Sequence, residues 1–420
     1  MTSEIVIMTP NAIAMAADSA VTVGGSKTYN GVNKLFMLSS NPPVGIMYYN
    51  NTSFLNIPFE TIIKEFRESI KNHYNHFLFK KFLNDNKHFS TISNFQNGII
   101  DYFKVLMKES DFKLSFEYRF KLFLEKIPLI INCIPNFYQF IIGYNISDEK
   151  LFKAVYDNFD GKYLNQCLEL AINIFQNNYS AHQNSEIFIN NFINYTIDEI
   201  FVKNYTGIVM SGFDENSLFP SCSSFKICYL YDEKYVLCDF QQNTISPEEG
   251  DVRINMFAQA DVINTFLKSI NPNTKLKILN YFNNKHTQYL DNIINLINNN
   301  TDIEDVVKQN IITEIINYDN SMNSYGEFVN TINKIEQEEI EPMLQSVGAL
   351  PFVELSNLCE SLIKITSLKR KVGSDLETVG GDVDVAIITK GDGFIWTKRK
   401  HYFDANLNPH FFDRKTKSNI

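Results

Sequence analysis

Residues 1–38 read MTSEIVIMTPNAIAMAADSAVTVGGSKTYNGVNKLFML, and the fold prediction is based on this stretch. It contains an apolar run at 5–8, the turn residues 9–11 and a second apolar run at 12–17. Two apolar runs separated by a short turn are typical of a β-hairpin. A further apolar run, residues 35–38, begins directly after Lys34. We therefore predict an N-terminal hairpin, followed by a strand that starts beside this lysine.

Three polar residues occur at nearly equal intervals along this stretch: Thr2, Asp18 and Lys34. Asp18 closes the second predicted strand and Lys34 opens the next one, so the three side chains can meet at one end of a sheet. Thr2 follows Met1, and removal of Met1 by an aminopeptidase would give Thr2 a free α-amine.

A terminal amine has a pKa of about 7.7–8.0 and can act as the base for the hydroxyl of its own residue. A lysine cation beside Thr2 would lower the pKa of both the hydroxyl and the amine. A carboxylate at Asp18 would hold that cation in place. The three residues therefore suggest an N-terminal threonine nucleophile.

The stretch resembles the N-terminus of mature proteasome β subunits and related N-terminal-nucleophile (Ntn) hydrolases. These proteins begin with a catalytic threonine, reach an aspartate in an Ala-Ala-Asp-like motif and continue to a catalytic lysine before Leu-Phe or Ile-Phe. With Thr2 as the first residue, Asp18 and Lys34 match this spacing without a gap. The resemblance also implies that Thr22 binds substrate through its backbone, which would pair with an extended peptide.

Further site residues follow from the same resemblance. A backbone N–H near Asn50, at the end of the strand 44–49, would bind the oxyanion; an ordinary turn residue is an equally good interpretation of Asn50. Asp375 and Thr378 keep the three-residue spacing of a loop that positions the threonine amine. One extra residue, Val379, makes that register ambiguous, and a helix-capping loop is the alternative. The family's helper serine is absent at 259–261, where we interpret Asp261 as a helix cap.

The predicted fold class is α+β, a four-layer αββα sandwich of the Ntn hydrolase type with two helical insertions. The core would comprise residues 1–70, 205–270 and 349–405. Residues 71–204 would form the first helical insertion, residues 271–348 the second and residues 406–420 a C-terminal tail.

Composition restricts the function classes. The 420 residues carry a net charge of −10, which argues against a nucleic-acid surface. Six scattered cysteines without a CxxC pair favour reduced thiols and a cytoplasmic location, and neither cysteines nor histidines show zinc-ligand spacing. No leader peptide and no apolar run of membrane-spanning length is visible, so no membrane partner is expected.

The favoured function is a threonine-type hydrolase of amide bonds, with a peptide or protein as substrate and no cofactor or metal. One alternative keeps the fold without catalysis, as a structural or partner-binding protein. Another is an amidase or acylase acting on a small molecule. A homo-oligomer, and an ATPase partner, are suggested by analogy only.

Overall fold

The computed structural model describes residues 2–23, 27–55, 57–71, 89–109, 123, 125–158, 161–179, 181–229, 235–246, 252–373, 379–401, 403–404 and 406–410. Its first two strands are β1 (Ser3–Met8) and β2 (Ile13–Ala17), which pair antiparallel with Glu4 opposite Ala17. Every residue of both strands is buried. The N-terminal hairpin predicted from the apolar runs therefore forms, and it lies inside the protein.

This hairpin is the centre of a five-stranded antiparallel sheet with the order β12-β1-β2-β13-β14. Strand β12 pairs with β1 from Ser3 opposite Ala258 to Met8 opposite Arg253. The sequence pattern did not predict a strand at residues 253–258. The sheet is completed by three strands distant in sequence from the hairpin, β12 (Arg253–Ala258), β13 (Asp384–Thr389) and β14 (Gly393–Lys398).

A second five-stranded antiparallel sheet has the order β11-β10-β9-β6-β5. Its strands are β5 (Leu35–Ser40), β6 (Pro43–Asn50), β9 (Thr206–Phe213), β10 (Pro220–Tyr229) and β11 (Tyr235–Thr244). Two short two-stranded ribbons accompany it, β3 (Val21–Val23) with β4 (Lys27–Tyr29) and β7 (Ser53–Phe54) with β8 (Ile57–Pro58).

The two sheets pack face to face through a buried apolar core. Val6 and Met8 of β1 and Met47 of β6 belong to it, together with Phe257 and Ile388. In a strand, alternate side chains point to opposite faces, so residues 4, 6 and 8 of β1 face this core, as does Thr2 directly before the strand. Thr2 is thereby placed at one end of the apolar core between the two sheets.

Helices cover the outer face of each sheet. Helices α1 (Phe59–Lys71) and α2 (Ile92–Glu109) pack on the second sheet through a cluster that includes Phe66, Phe95 and Phe103. The long helix α11 (Phe352–Val372) packs on the hairpin sheet. The order of layers is helix, sheet, sheet, helix, and the predicted α+β four-layer sandwich is confirmed.

Additional helices lie between α2 and β9 and have a separate apolar cluster that includes Phe188 and Phe192. They are α3 (Phe137–Ile142), α4 (Glu149–Asp157), α5 (Gly161–Tyr179) and α6 (Ser185–Ile200).

The chain forms two compact units, residues 1–258 with 351–420, and residues 259–350. The second unit is helical. It contains α7 (Asp261–Lys268), α8 (Pro272–Asn298), α9 (Asp305–Met322) and α10 (Ser324–Gly348). Ala260 is the N-cap of α7, and Asp261 lies in its first turn.

Candidate active site

Thr2, Asp18 and Lys34 meet at one end of the inter-sheet core. Thr2 directly precedes β1, Asp18 directly follows β2, and Lys34 directly precedes β5. The hairpin brings Thr2 and Asp18 to the same end of the sheet. The packing of β5 against the hairpin places Lys34 beside them. All three side chains are buried, with exposed fractions of 2%, 1% and 3%.

The three side chains form a closed set of hydrogen bonds. The Thr2 hydroxyl donates to Asp18 Oδ1 at 2.8 Å and accepts from the Lys34 ammonium. Lys34 Nζ also donates to Asp18 Oδ1 at 2.8 Å and to the carbonyl oxygen of Ala20 at 2.6 Å. A cation that donates to a hydroxyl oxygen stabilises negative charge on it. This arrangement therefore suits an oxygen nucleophile.

Backbone groups hold the Asp18 carboxylate in place. Its Oδ1 accepts from the amide of Ser3 at 3.1 Å, and its Oδ2 accepts from the amides of Ala20 at 3.2 Å and Gly380 at 3.1 Å. Three N–H donors and one ammonium satisfy a buried carboxylate well. The amide of Gly380 connects a loop more than 360 residues away to the N-terminal site.

A cavity of about 240 Å³ opens next to this set of side chains. Thr2 and Lys34 line it, together with Thr22 and Asn50. Thr22 lies in β3 opposite Thr28, and its hydroxyl oxygen is buried and has no hydrogen-bond partner in the described parts of the chain. The structure thus places the residue that the resemblance assigns to substrate binding on the same cavity as the Thr2 hydroxyl.

Asn50 ends β6 with a φ of 73°, in the left-handed region that asparagine adopts more readily than most residues. Its side-chain amide donates to the carbonyl oxygens of Lys203 at 3.1 Å and Tyr205 at 2.8 Å. These bonds hold the turn at the mouth of the cavity in one conformation. Asn50 therefore has a backbone conformation that glycine favours.

Asp375 and Thr378, the two loop residues predicted to position the threonine amine, lie outside the described residues. The described chain resumes at Val379, which is fully buried, and continues into Gly380 and Gly381. Gly381 has a φ of +71°, and a Cβ at this position would overlap the hydroxyl of Ser19. Gly381 is thus required for the close approach of this loop to the segment after Asp18.

The sequence analysis missed Glu4, a fully buried glutamate on the same face of β1 as Thr2. Burial raises its pKa well above the ordinary value of 4.5; the charge of Lys34 opposes this rise and that of Asp18 adds to it. The signal in the sequence was available: position 4 belongs to a strand whose other core-facing residues, Val6 and Met8, are apolar.

A second cavity, of about 210 Å³, is lined by Tyr49, which also lines the first one, and by Lys226 and Asp239. Lys226 Nζ lies 2.6 Å from Asp148 and 3.0 Å from Asp239. Burial alone would lower the pKa of Lys226, but hydrogen bonds to the two carboxylates raise it above its ordinary value. The sequence analysis missed this group because its members lie on separate elements.

Among the described residues, no group of three or more His, Cys, Asp or Glu side chains is arranged to hold a metal ion. In the same part of the chain, all of the helices are too short or too polar to span a membrane.

Comparisons with known proteins give structural matches but no sequence matches. No protein-family model and no curated protein matches the chain. Among solved structures, "Anbu (ancestral beta-subunit)" from Yersinia bercovieri is 6% identical, with a TM-score of 0.32, over 99% of this chain and 94% of that one. Anbu from Hyphomicrobium sp. strain MC1 is 8% identical, with a TM-score of 0.32, over 100% and 97%.

A third structure, "Helical Assembly of the Anbu Complex" from Pseudomonas aeruginosa, is 7% identical, with a TM-score of 0.34, over 99% of this chain and 94% of that one. The assignment to the family of proteasome β-subunit-like Ntn hydrolases, which the N-terminal motif implied, is corrected by these findings, because no family model matches and every reported structural match is below 10% identity. A three-residue motif with matching spacing is too short to establish common descent. The function proposed for the candidate site therefore rests on the geometry of that site.

Proposed function

We propose that this protein is an N-terminal threonine hydrolase that cleaves an amide bond, with a peptide as substrate. One observation carries the proposal: the Thr2 hydroxyl is buried between the Asp18 carboxylate and the Lys34 ammonium, on the wall of a cavity. An alcohol in this position has a cation to stabilise its developing negative charge and space beside it for a carbonyl group.

The reaction follows from these positions once the residue before Thr2 is removed. Thr2 Oγ attacks the substrate carbonyl carbon, and the hydroxyl proton passes to the α-amine of Thr2. Collapse of the tetrahedral adduct breaks the C–N bond, and the leaving amine takes that proton. Water then hydrolyses the acyl ester and restores the hydroxyl.

The other predicted residues have supporting roles in this proposal. Lys34 stabilises charge on Thr2 Oγ, and Asp18 orients Lys34. A backbone N–H near Asn50 binds the oxyanion, and Asp375 and Thr378 position the amine. Thr22 pairs with the backbone of the substrate.

The size of the cavity favours a peptide over a small-molecule amide. Pockets for whole small molecules have volumes of roughly 300–1,000 Å³. The cavity beside Thr2, at about 240 Å³, is smaller. A substrate that extends beyond the cavity, with one side chain inside it, is therefore expected.

The first experiment determines whether the amine is released. The intact mass of untagged protein should show loss of Met1, and a retained Met1 would rule out the mechanism. The processed protein is then incubated with an electrophile that traps N-terminal threonine, and the modified residue is located by peptide mapping. Label on Thr2 is the expected result.

The second experiment compares cleavage of amide reporters by three variants. Thr2→Ala should lower the rate at least about 10³-fold, since it removes the nucleophile, while Thr2→Ser should retain measurable activity. Thr301→Ala, at an exposed threonine, is the control and should match the wild type. Undiminished cleavage by Thr2→Ala would refute the proposal. Faster cleavage of small amides than of peptides would refute the proposed substrate class.

A further inference from the structure

Glu4 occupies a position that an apolar residue would fill in an ordinary sandwich core. It is fully buried, and its direct neighbours across the sheet are Ala17 on β2 and Phe257 on β12. Both neighbours belong to the apolar core between the sheets. The Glu4 carboxyl therefore lies in a medium of low polarity.

The carboxyl group lacks hydrogen bonds within the described part of the chain. Neither Oε1 nor Oε2 of Glu4 has a hydrogen-bond partner among the described residues. A buried charge without a partner is very costly, whereas a protonated carboxyl costs much less. Since most buried polar groups are paired, an unpaired one beside a reactive centre calls for a functional explanation.

The groups that act on Glu4 belong to the candidate active site. The charges of Lys34, at the start of β5, and Asp18, at the end of β2, both act on Glu4. On β6, Tyr49 lies in the same inter-sheet core, whereas Tyr48 packs in the cluster on the opposite face of the strand; the Glu4 charge contributes to raising the pKa of both phenols, after burial as the main cause.

Two further groups complete the surroundings of Glu4. The thiol of Cys222 on β10 lies in the same core, and burial raises its pKa to about 12. On β1 itself, the hydroxyl of Thr2 lies on the same face as Glu4. Among the described residues, the charges that act on the Glu4 carboxyl are thus those of Lys34 and Asp18.

We propose that Glu4 retains a proton in the folded protein and, because it stays neutral, leaves the ammonium of Lys34 directed at Thr2 and Asp18. The inference rests on the proposed role of Thr2 as nucleophile. An ionised Glu4 would be a second carboxylate that competes with Asp18 for one lysine. It would also add negative charge next to the oxygen on which negative charge must develop during attack.

The sign of the pH dependence follows from this arrangement. Burial raises the pKa of Glu4 in the folded protein, whereas the unfolded chain retains the ordinary value of 4.5. Below pH 4.5 both states are protonated, and Glu4 has no effect on the pH dependence of stability. Above it the unfolded state releases the proton first, so stability falls as the pH rises towards the folded pKa.

The first test determines whether Glu4 is protonated in the folded protein, and it does not depend on enzymatic activity. Urea unfolding midpoints are recorded as a function of pH for the wild type, Glu4→Gln and Glu354→Gln; the last removes a carboxyl at an exposed position. The midpoint of Glu4→Gln should rise relative to the wild type as the pH increases above about 4.5. The difference between Glu354→Gln and the wild type should not change. Parallel curves for the wild type and Glu4→Gln would overturn the proposal.

The second test measures the effect on the reaction. The pH profile of kcat/KM for a Thr2-dependent amide reporter is compared for the same three proteins. Glu4→Gln should remain within about threefold of the wild type at the plateau and should lack the decline that ionisation of Glu4 causes at higher pH. Glu354→Gln should follow the wild-type profile. Coincident profiles of the wild type and Glu4→Gln would show that the protonation state of Glu4 does not affect Lys34 and Thr2, and would overturn the proposal.

Two further outcomes have defined meanings. If Glu4→Gln does not fold, Glu4→Leu, which fills the position with an apolar side chain, replaces it in both tests with the same expectations. If no protein shows Thr2-dependent activity, the proposed function fails, and the effect of Glu4 on the reaction fails with it. In that case the unfolding curves still decide whether Glu4 retains its proton.

Discussion

Lys34 illustrates at the residue scale how the site depends on burial. Its side chain is 3% exposed, and its ammonium is satisfied by Thr2, Asp18 and the carbonyl oxygen of Ala20. A buried pair of charges contributes little net stability when it is complete, because desolvation offsets the attraction. Removal of one partner is different, because it leaves the other charge buried without compensation.

The variant Lys34→Met should therefore lower the free energy of unfolding by about 3–5 kcal/mol as well as abolish Thr2-dependent cleavage. The matched control is Lys64→Met, which breaks an ion pair with Glu60 on the surface of α1 and should cost less than about 1 kcal/mol. Fluorescence of Trp396, the single tryptophan, reports the urea unfolding of the sandwich. Equal destabilisation by the two substitutions would contradict this account of the lysine.

At the scale of elements, the site depends on a loop near the C-terminus. The amide of Ser19 donates to the carbonyl oxygen of Gly380 at 3.2 Å, and the amide of Gly380 donates to Asp18. These reciprocal bonds dock the loop before β13 onto the end of β2. Gly381 makes the docking possible, through its positive φ and its lack of a side chain against Ser19 and Asn30.

Gly381→Ala should cost at least about 1–2 kcal/mol, the penalty for a left-handed alanine, with a further cost from the overlap with Ser19. It should also slow the reaction of Thr2 with the trapping electrophile, because the Gly380 amide would move away from Asp18. Gly391→Ala is the control, since open space surrounds that position. Urea midpoints and labelling rates measure the two effects. A Gly381→Ala protein that matches Gly391→Ala in both would show that the loop is not required.

At the scale of the whole molecule, the two compact units differ in how deeply their helices are buried. In the sandwich unit, α11 buries a row of residues that includes Leu355, Cys359 and Leu362. In the helical unit, α8 spans 27 residues without a buried one. Helices with few buried apolar contacts open locally at low free-energy cost.

Amide hydrogen exchange measured by mass spectrometry should therefore be faster in peptides from α8 than in peptides from α11. The comparison is matched because both segments are long helices of the same chain, so the backbone hydrogen-bond pattern is common to them. The buried strands β1 and β2 provide the slow reference. Slower exchange in α8 than in α11 would mean that burial does not determine local stability in this protein.

Local sequence patterns were sufficient to predict the first strands of the fold. Apolar runs separated by turn residues predicted the N-terminal hairpin, and its continuation predicted the strand after Lys34. The spacing of Thr2, Asp18 and Lys34 predicted their meeting, because a hairpin returns the chain to its starting end. These features depend on interactions between residues close in sequence, and local patterns report such interactions directly.

The other features of the fold and of the site arise from contacts between segments that are distant in sequence. Strand β12 pairs with β1 across about 250 residues, and the Gly380 amide reaches Asp18 from the far end of the chain. The alternation along β1 places Glu4 on the side that faces the core, but only the packing of the second sheet makes it a buried carboxyl that has no hydrogen-bond partner among the described residues and on which the charge of Lys34 acts. Burial and charge environment are set by contacts between distant segments, and a single sequence does not encode those contacts as a readable pattern.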